Sequence, residues 1–126
     1  MKRDMDIIRK VLLAVEEQYV DVAIHDLKVD DADRKTLAYH CKILHEGGYL
    51  SDYKAQFAGN EIYSFGVGSL TWEGHEFLDK IRDDSVWTRT KSTIVEKGLP
   101  MALDVVKDVA TALISRMTQA AIQNII

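Results

Sequence analysis

Cys41 stands beside His40 and four residues before His45 in the stretch KTLAYHCKILHE. Positions four apart on a helix share a face, so a thiolate and an imidazole there could hold a metal together. A zinc site needs three or four converging ligands, and the sequence has neither a CxxC nor an HExxH to complete one. Gly74-His75-Glu76 lacks the second histidine. His40 is also badly placed as a general base for Cys41, because neighbours on a helix point about 100° apart. Cys41 therefore reads as a small buried apolar residue. The sequence offers no glycine-rich phosphate loop, serine elbow or pair of carboxylates at a strand end. The expectation is a protein that is not an enzyme, with no metal, no cofactor and no identifiable small-molecule ligand.

The other side of the same segment carries different chemistry. Lys35, Tyr39, Lys42 and Glu46 are spaced by 4, 3 and 4, which aligns them on one outward helical face while Leu37, Ala38, Cys41 and Leu44 share the apolar one. A tyrosine between two cations suits contact with a partner as well as it suits plain solvent. Trp72, Phe77 and Trp87 could stack on bases, but their helical spacing beside Leu78 and Ile81 marks them as core.

These residues need elements to position them. Ile8, Val11, Leu12 and Val15 form an apolar stripe on a first helix from Asp4 to Glu17. The stretch Tyr19–Val29 mixes β-branched and charged residues and fits either a short strand or one helical turn. Asp31 or Asp33 can cap the next helix, which runs to His45 and ends at Gly47-Gly48. Tyr49–Ala58 and Glu61–Leu70 read as a hairpin around Gly59-Asn60. Thr71 caps a following helix with Glu73 and Glu76 near its start, and a short helix from Ser85 to Glu96 stops at Gly98. Pro100 opens the last helix at a position where a missing amide costs nothing. Leu103, Val106, Ala110, Leu113, Met117 and Ala121 make one stripe there, with Val105, Val109, Ile114, Ile122 and Ile125 outside it. So wide an apolar surface points to a homodimer through those outer residues, the alternative being that the helix folds back onto its own chain. The fold class is mainly α with a small β-hairpin, as one compact domain with a core over 1–84 and a helical extension over 85–126.

A single cysteine excludes an internal disulfide and fits a reducing compartment. The opening MKRDMDIIRK has no apolar run behind it to make a secretory signal, and Asp104, Lys107 and Asp108 interrupt the most apolar segment, Leu99–Met117. A cytoplasmic protein with no membrane partner is expected. The net charge is −4, and no segment is strongly basic, which argues against avid unspecific binding to nucleic acid.

The order helix, link, helix, hairpin and helix, with ILHEGGYL and SLTWEGHEFL flanking the hairpin, resembles the winged-helix fold. More closely, MKRDMDIIRKVLL, Tyr39-His40, LTWEGHEFLD, Asp83-Asp84 and Trp87 resemble the bacterial and phage-associated family called domain of unknown function 2513, from Met1 to about Gly98. The winged-helix resemblance implies a recognition helix over Asp31–Glu46 and a wing over 53–63, with a truncated helix at Ile24–Lys28 before them. Arg34, Lys35, Tyr39 and Lys42, with Lys54, Gln56 and Asn60 at the wing, would then contact double-stranded DNA. Asp30, Asp31, Asp33 and Glu46 offset these cations. Two readings follow: a dimeric DNA-binding regulator on a mobile element, or a protein-interaction module that keeps the fold without binding DNA.

Overall fold

The Asp4 carboxylate accepts the amides of Asp6 and Ile7, satisfying two donors that a helix start leaves unpaired, and α1 follows over Met5–Gln18. The computed structural model describes residues 1–125, and within them lie five helices and one two-stranded antiparallel hairpin. The protein is thus mainly α with a small β part.

No helix forms between α1 and α2 (Arg34–Glu46). The truncated helix expected at Ile24–Lys28 is absent because its backbone groups are bonded elsewhere. The Gln18 side chain donates to the Lys28 carbonyl at 2.8 Å and accepts the Lys28 amide at 3.1 Å. Ile24 pairs with Val67 in an isolated antiparallel bridge, so the open question over Tyr19–Val29 resolves to a single bridge. Asp21 and Asp31, at φ 62° and 65°, turn the chain on either side.

Asp33, not Asp31, caps α2 by accepting the Thr36 amide at 2.7 Å. Gly48 then takes the left-handed φ of 86° that lets the chain leave the helix. β1 (Tyr53–Ala58) and β2 (Glu61–Val67) are shorter than the periodicity suggests. Leu50 and Leu70 pair as a separate bridge, because the Gly68 amide goes to the Asp52 carbonyl and the Ser51 amide to the Ser69 carbonyl, off the main ladder.

α3 (Trp72–Ile81) is locked to the end of α2. Thr71 donates its amide to the Tyr49 carbonyl and its hydroxyl to the Gly48 carbonyl, and the same hydroxyl accepts the Gly74 amide. A Cβ on Gly74 would fall on the Tyr49 carbonyl oxygen. This explains why GGYL and LTxxG occur together: the cap and the glycine let a helix N-terminus rest directly on backbone. Trp72 corrects the expectation of a core residue, being 76% exposed. It lies two residues before the inward Gly74, about 200° around the helix, whereas Leu78 follows Gly74 by four and is buried.

The chain divides into two compact units, 1–78 and from Asp79 onward. In the first, α2 packs on α1 and on both strands, and Ile8, Leu12, Leu37, Cys41, Leu44, Leu70, Phe77 and Leu78 are all buried, as their spacing predicts. In the second, Asp83 caps α4 (Asp84–Glu96), which packs on α5 (Leu103–Ile125). Pro100 does not open α5. The Leu99 amide closes the end of α4 on the Ile94 carbonyl after Gly98 at φ 65°. Pro100 therefore falls in the connection, where prolines commonly follow such a stop.

Candidate nucleic-acid interface

Because Leu37, Cys41 and Leu44 turn inward, the helical repeat puts Lys35, Tyr39 and Lys42 on the opposite side of α2. Lys35 and Lys42 are exposed and Tyr39 is half-buried. The hairpin runs alongside this row. Its register pairs Tyr53 with Val67 and Ala55 with Phe65, then slips between Gln56 and Phe57 so that Phe57 faces Ile62. The slip leaves Phe57 and Ile62 on the same groove as Lys35, Tyr39, Lys42, Tyr53 and Asn60, a hollow of about 250 Å³. Four of the seven residues expected to contact DNA are thus brought together.

The other three lie apart. Arg34, one residue from Lys35, is rotated away and lines a separate hollow of about 480 Å³ with His25, Asp26, Asp30 and Tyr63. Lys54 and Gln56 alternate with Tyr53 and Phe57 on β1, which puts them on the opposite face of the hairpin. There Gln56 accepts a 3.0 Å hydrogen bond from the Ser64 hydroxyl.

Of the four acids that neutralise this stretch in sequence, Asp30 and Asp31 lie away from Lys35 and Lys42, while Asp33 and Glu46 stand near them. Asp30 and Asp31 line a hollow with Lys10, Glu17 and Gln18. Asp33 is engaged as the α2 cap, and the Thr36 amide holds its carboxyl below the ordinary 3.8. Glu46 meets Lys42 at 3.9 Å, with both side chains well exposed, a pair that contributes little. Glu61 is the acid lining the groove itself. Lys2, Arg3 and Lys54 have no carboxylate partner among the described residues.

His40 has a role that periodicity did not reveal. It is buried at 1% exposure; its Nε2 accepts the Asp4 amide at 2.9 Å, and its Nδ1 donates to the Thr36 carbonyl at 2.8 Å. Met1 lines the groove, so the exposed Lys2 and Arg3 lie between it and the Asp4 amide that His40 holds. Cys41 is fully buried, and burial pushes its thiol from the ordinary 9.0 to about 12, which leaves it protonated and unreactive at neutral pH. Among the described residues no three of His, Cys, Asp and Glu are grouped to hold a metal ion.

Residues 2–100 match the family model described as "Hypothetical protein (DUF2513)". The chain belongs to that family. A relative titled "Uncharacterized protein" from Haemophilus influenzae is 43% identical over 122 residues, covering 93% of this chain and 98% of the relative. No solved structure matches the chain significantly. The domain of unknown function 2513 match includes the groove residues of α2 and the hairpin, His40 and the Thr71–Gly74 lock, and it stops before α5.

Beyond the family match, α5 differs from the other helices of this domain of unknown function 2513 protein. Only Val106 and Ala110 of its 23 residues are buried. Of the residues expected at a dimer contact, Val105, Val109 and Ile114 are half-buried, and Ile122 and Ile125 are 50% and 84% exposed. Every residue from Ser115 to Ile125 is exposed. Among the described residues no helix is long and apolar enough to cross a membrane.

Proposed function

We propose that this protein is a cytoplasmic DNA-binding regulator of winged-helix type, using α2 as its recognition helix and the β1–β2 hairpin as its wing. The observation that carries the reading is the groove itself: Lys35, Tyr39 and Lys42 meet Asn60 and Phe57 of the hairpin, on a side from which Asp30 and Asp31 are turned away. Lysines at such an edge suit phosphate contacts, and a half-buried tyrosine suits a sugar or a base edge. The neutral charge of residues 28–56, which counts against DNA when summed along the chain, counts for less because Asp30 and Asp31 line a different hollow from Lys35 and Lys42. The Ile24–Val67 bridge supports the winged-helix comparison by adding a third, minimal strand to the hairpin.

The test is binding to a pool of random-sequence duplexes at two salt concentrations. Wild-type protein is expected to bind and to weaken steeply with salt. Lys35→Glu with Lys42→Glu, both at exposed positions, is expected to abolish binding while leaving the circular dichroism spectrum unchanged. Full retention of DNA by that double variant refutes the reading.

The apolar side of the same groove favours a second reading, a protein-interaction module without DNA binding. Phe57 is 61% exposed, and Tyr53 and Ile62 line the hollow. Exposed aromatics are enriched at protein interfaces. Under either reading α5 pairs two copies. Its last turns are longer than α4 can cover, at about 35 Å against about 20 Å of helix, and residues 117–125 carry no charge.

A further inference from the structure

We infer that Lys2 and Arg3 form a basic arm of the α2 surface that grips the phosphate backbone of double-stranded DNA, with His40 as the residue that holds the arm in place. The inference rests on the DNA reading above and adds a contact that the recognition helix and wing do not supply.

The argument begins with a backbone amide. Asp4 caps α1, and the amide of a capping residue is often met by a glutamate or glutamine side chain three residues on. That position is Ile7, which cannot do it. His40 meets the amide instead, from 36 residues away along the chain. Its other nitrogen is tied to the Thr36 carbonyl, which fixes the ring in the form with hydrogen on Nδ1 and the lone pair of Nε2 aimed at Asp4. A buried ring bonded at both nitrogens is a rigid strut from α2 to the start of α1. It stands one turn from Lys35 and beside Tyr39, whose ring meets it edge-on at 5.4 Å.

The strut ends immediately after Lys2-Arg3, and Met1, before them, is among the residues that line the groove. Both cations are exposed and have no carboxylate partner among the described residues. In the chain they lie between Met1, which lines the groove with Lys35 and Lys42, and Asp4, whose amide His40 ties to α2. Basic N-terminal arms beside a recognition helix are a general means of adding backbone or minor-groove contacts to DNA. Here the His40 bond would hold the inner end of the arm before DNA arrives, which lowers the entropy cost of fixing it in the complex.

The experiment is a salt series of fluorescence-anisotropy titrations on the full chain with random-sequence duplex DNA. Lys2→Gln with Arg3→Gln is expected to lower affinity and to reduce the slope of log K against log salt by ~1.8, at about 0.9 for each phosphate no longer neutralised. His40→Ala keeps both charges, so its slope should stay at the wild-type value while affinity falls about tenfold as the arm becomes disordered. A His40 that merely stabilises the fold would leave affinity untouched in the folded variant. If Lys2→Gln with Arg3→Gln titrates like wild type while Lys35→Glu with Lys42→Glu loses binding, the arm is wrong and the DNA reading stands. If wild-type protein binds no duplex DNA, both fall.

Discussion

Replacing Gly74 by alanine separates local from tertiary control of stability, because the two predict opposite signs. Gly74 lies in the first turn of α3, and alanine is favoured over glycine by about 1 kcal/mol in a helix. Local propensity alone therefore predicts a more stable protein. The packing predicts the reverse: the new methyl would fall on the carbonyl oxygen of Tyr49, a backbone atom that cannot rotate aside. α3 would have to lift away, at an overpacking cost of about 1–3 kcal/mol. Lifting also strains the bonds from the Thr71 amide to the Tyr49 carbonyl at 3.1 Å and from the Thr71 hydroxyl to the Gly48 carbonyl at 2.6 Å. Each is worth about 1 kcal/mol. Setting these against the propensity gain leaves a net destabilisation of about 2–4 kcal/mol. Urea unfolding followed by circular dichroism should show the midpoint falling by about 1–2 M, taking m near ~2 kcal/mol/M. The exposed neighbour His75→Ala serves as control and should shift stability by less than about 0.5 kcal/mol. A Gly74→Ala protein with a midpoint equal to or above wild type would refute the reasoning.

Two further outcomes follow from burial. The Cys41 thiol is raised in the folded state from 9.0 to about 12, so its contribution is fully present below pH 9 and is lost as the pH rises above it, where only the unfolded thiol ionises. Between pH 8 and pH 10 wild type should lose about 1.4 kcal/mol more stability than Cys41→Ala, checked by urea unfolding at each pH; parallel loss in the two proteins would contradict the buried thiol. For α5, Ile122→Lys with Ile125→Lys should convert a dimer into a monomer by light scattering at high micromolar concentration, and a monomeric wild type would remove the dimer.

Much of the local structure was legible in the residues themselves. The stripes of α1 and α2, the Thr71 cap, an aspartate cap on α2, the Gly59-Asn60 turn and the inward Leu37, Cys41 and Leu44 all follow from interactions within about four residues, though the choice of Asp33 over Asp31 does not. The outward row of Lys35, Tyr39 and Lys42 was legible for the same reason. Local rules misled where a backbone group found a distant partner. Lys28 spends its amide and carbonyl on Gln18, and Ile24 on Val67, so no helix forms at Ile24–Lys28. Leu99 closes α4, which leaves Pro100 outside α5.

The sequence by itself determined which faces exist, because helical and strand periods are set by backbone geometry and solvent. Only the tertiary structure decided which faces meet. It placed Asn60 and Phe57 beside Lys42, sent Arg34 and Gln56 elsewhere, and turned Asp30 and Asp31 away from the groove. It also joined His40 to Asp4 across 36 residues and Thr71 to Gly48 across 23. Such contacts form between elements already built, and their partners are chosen by how those elements pack, which no spacing along the chain records.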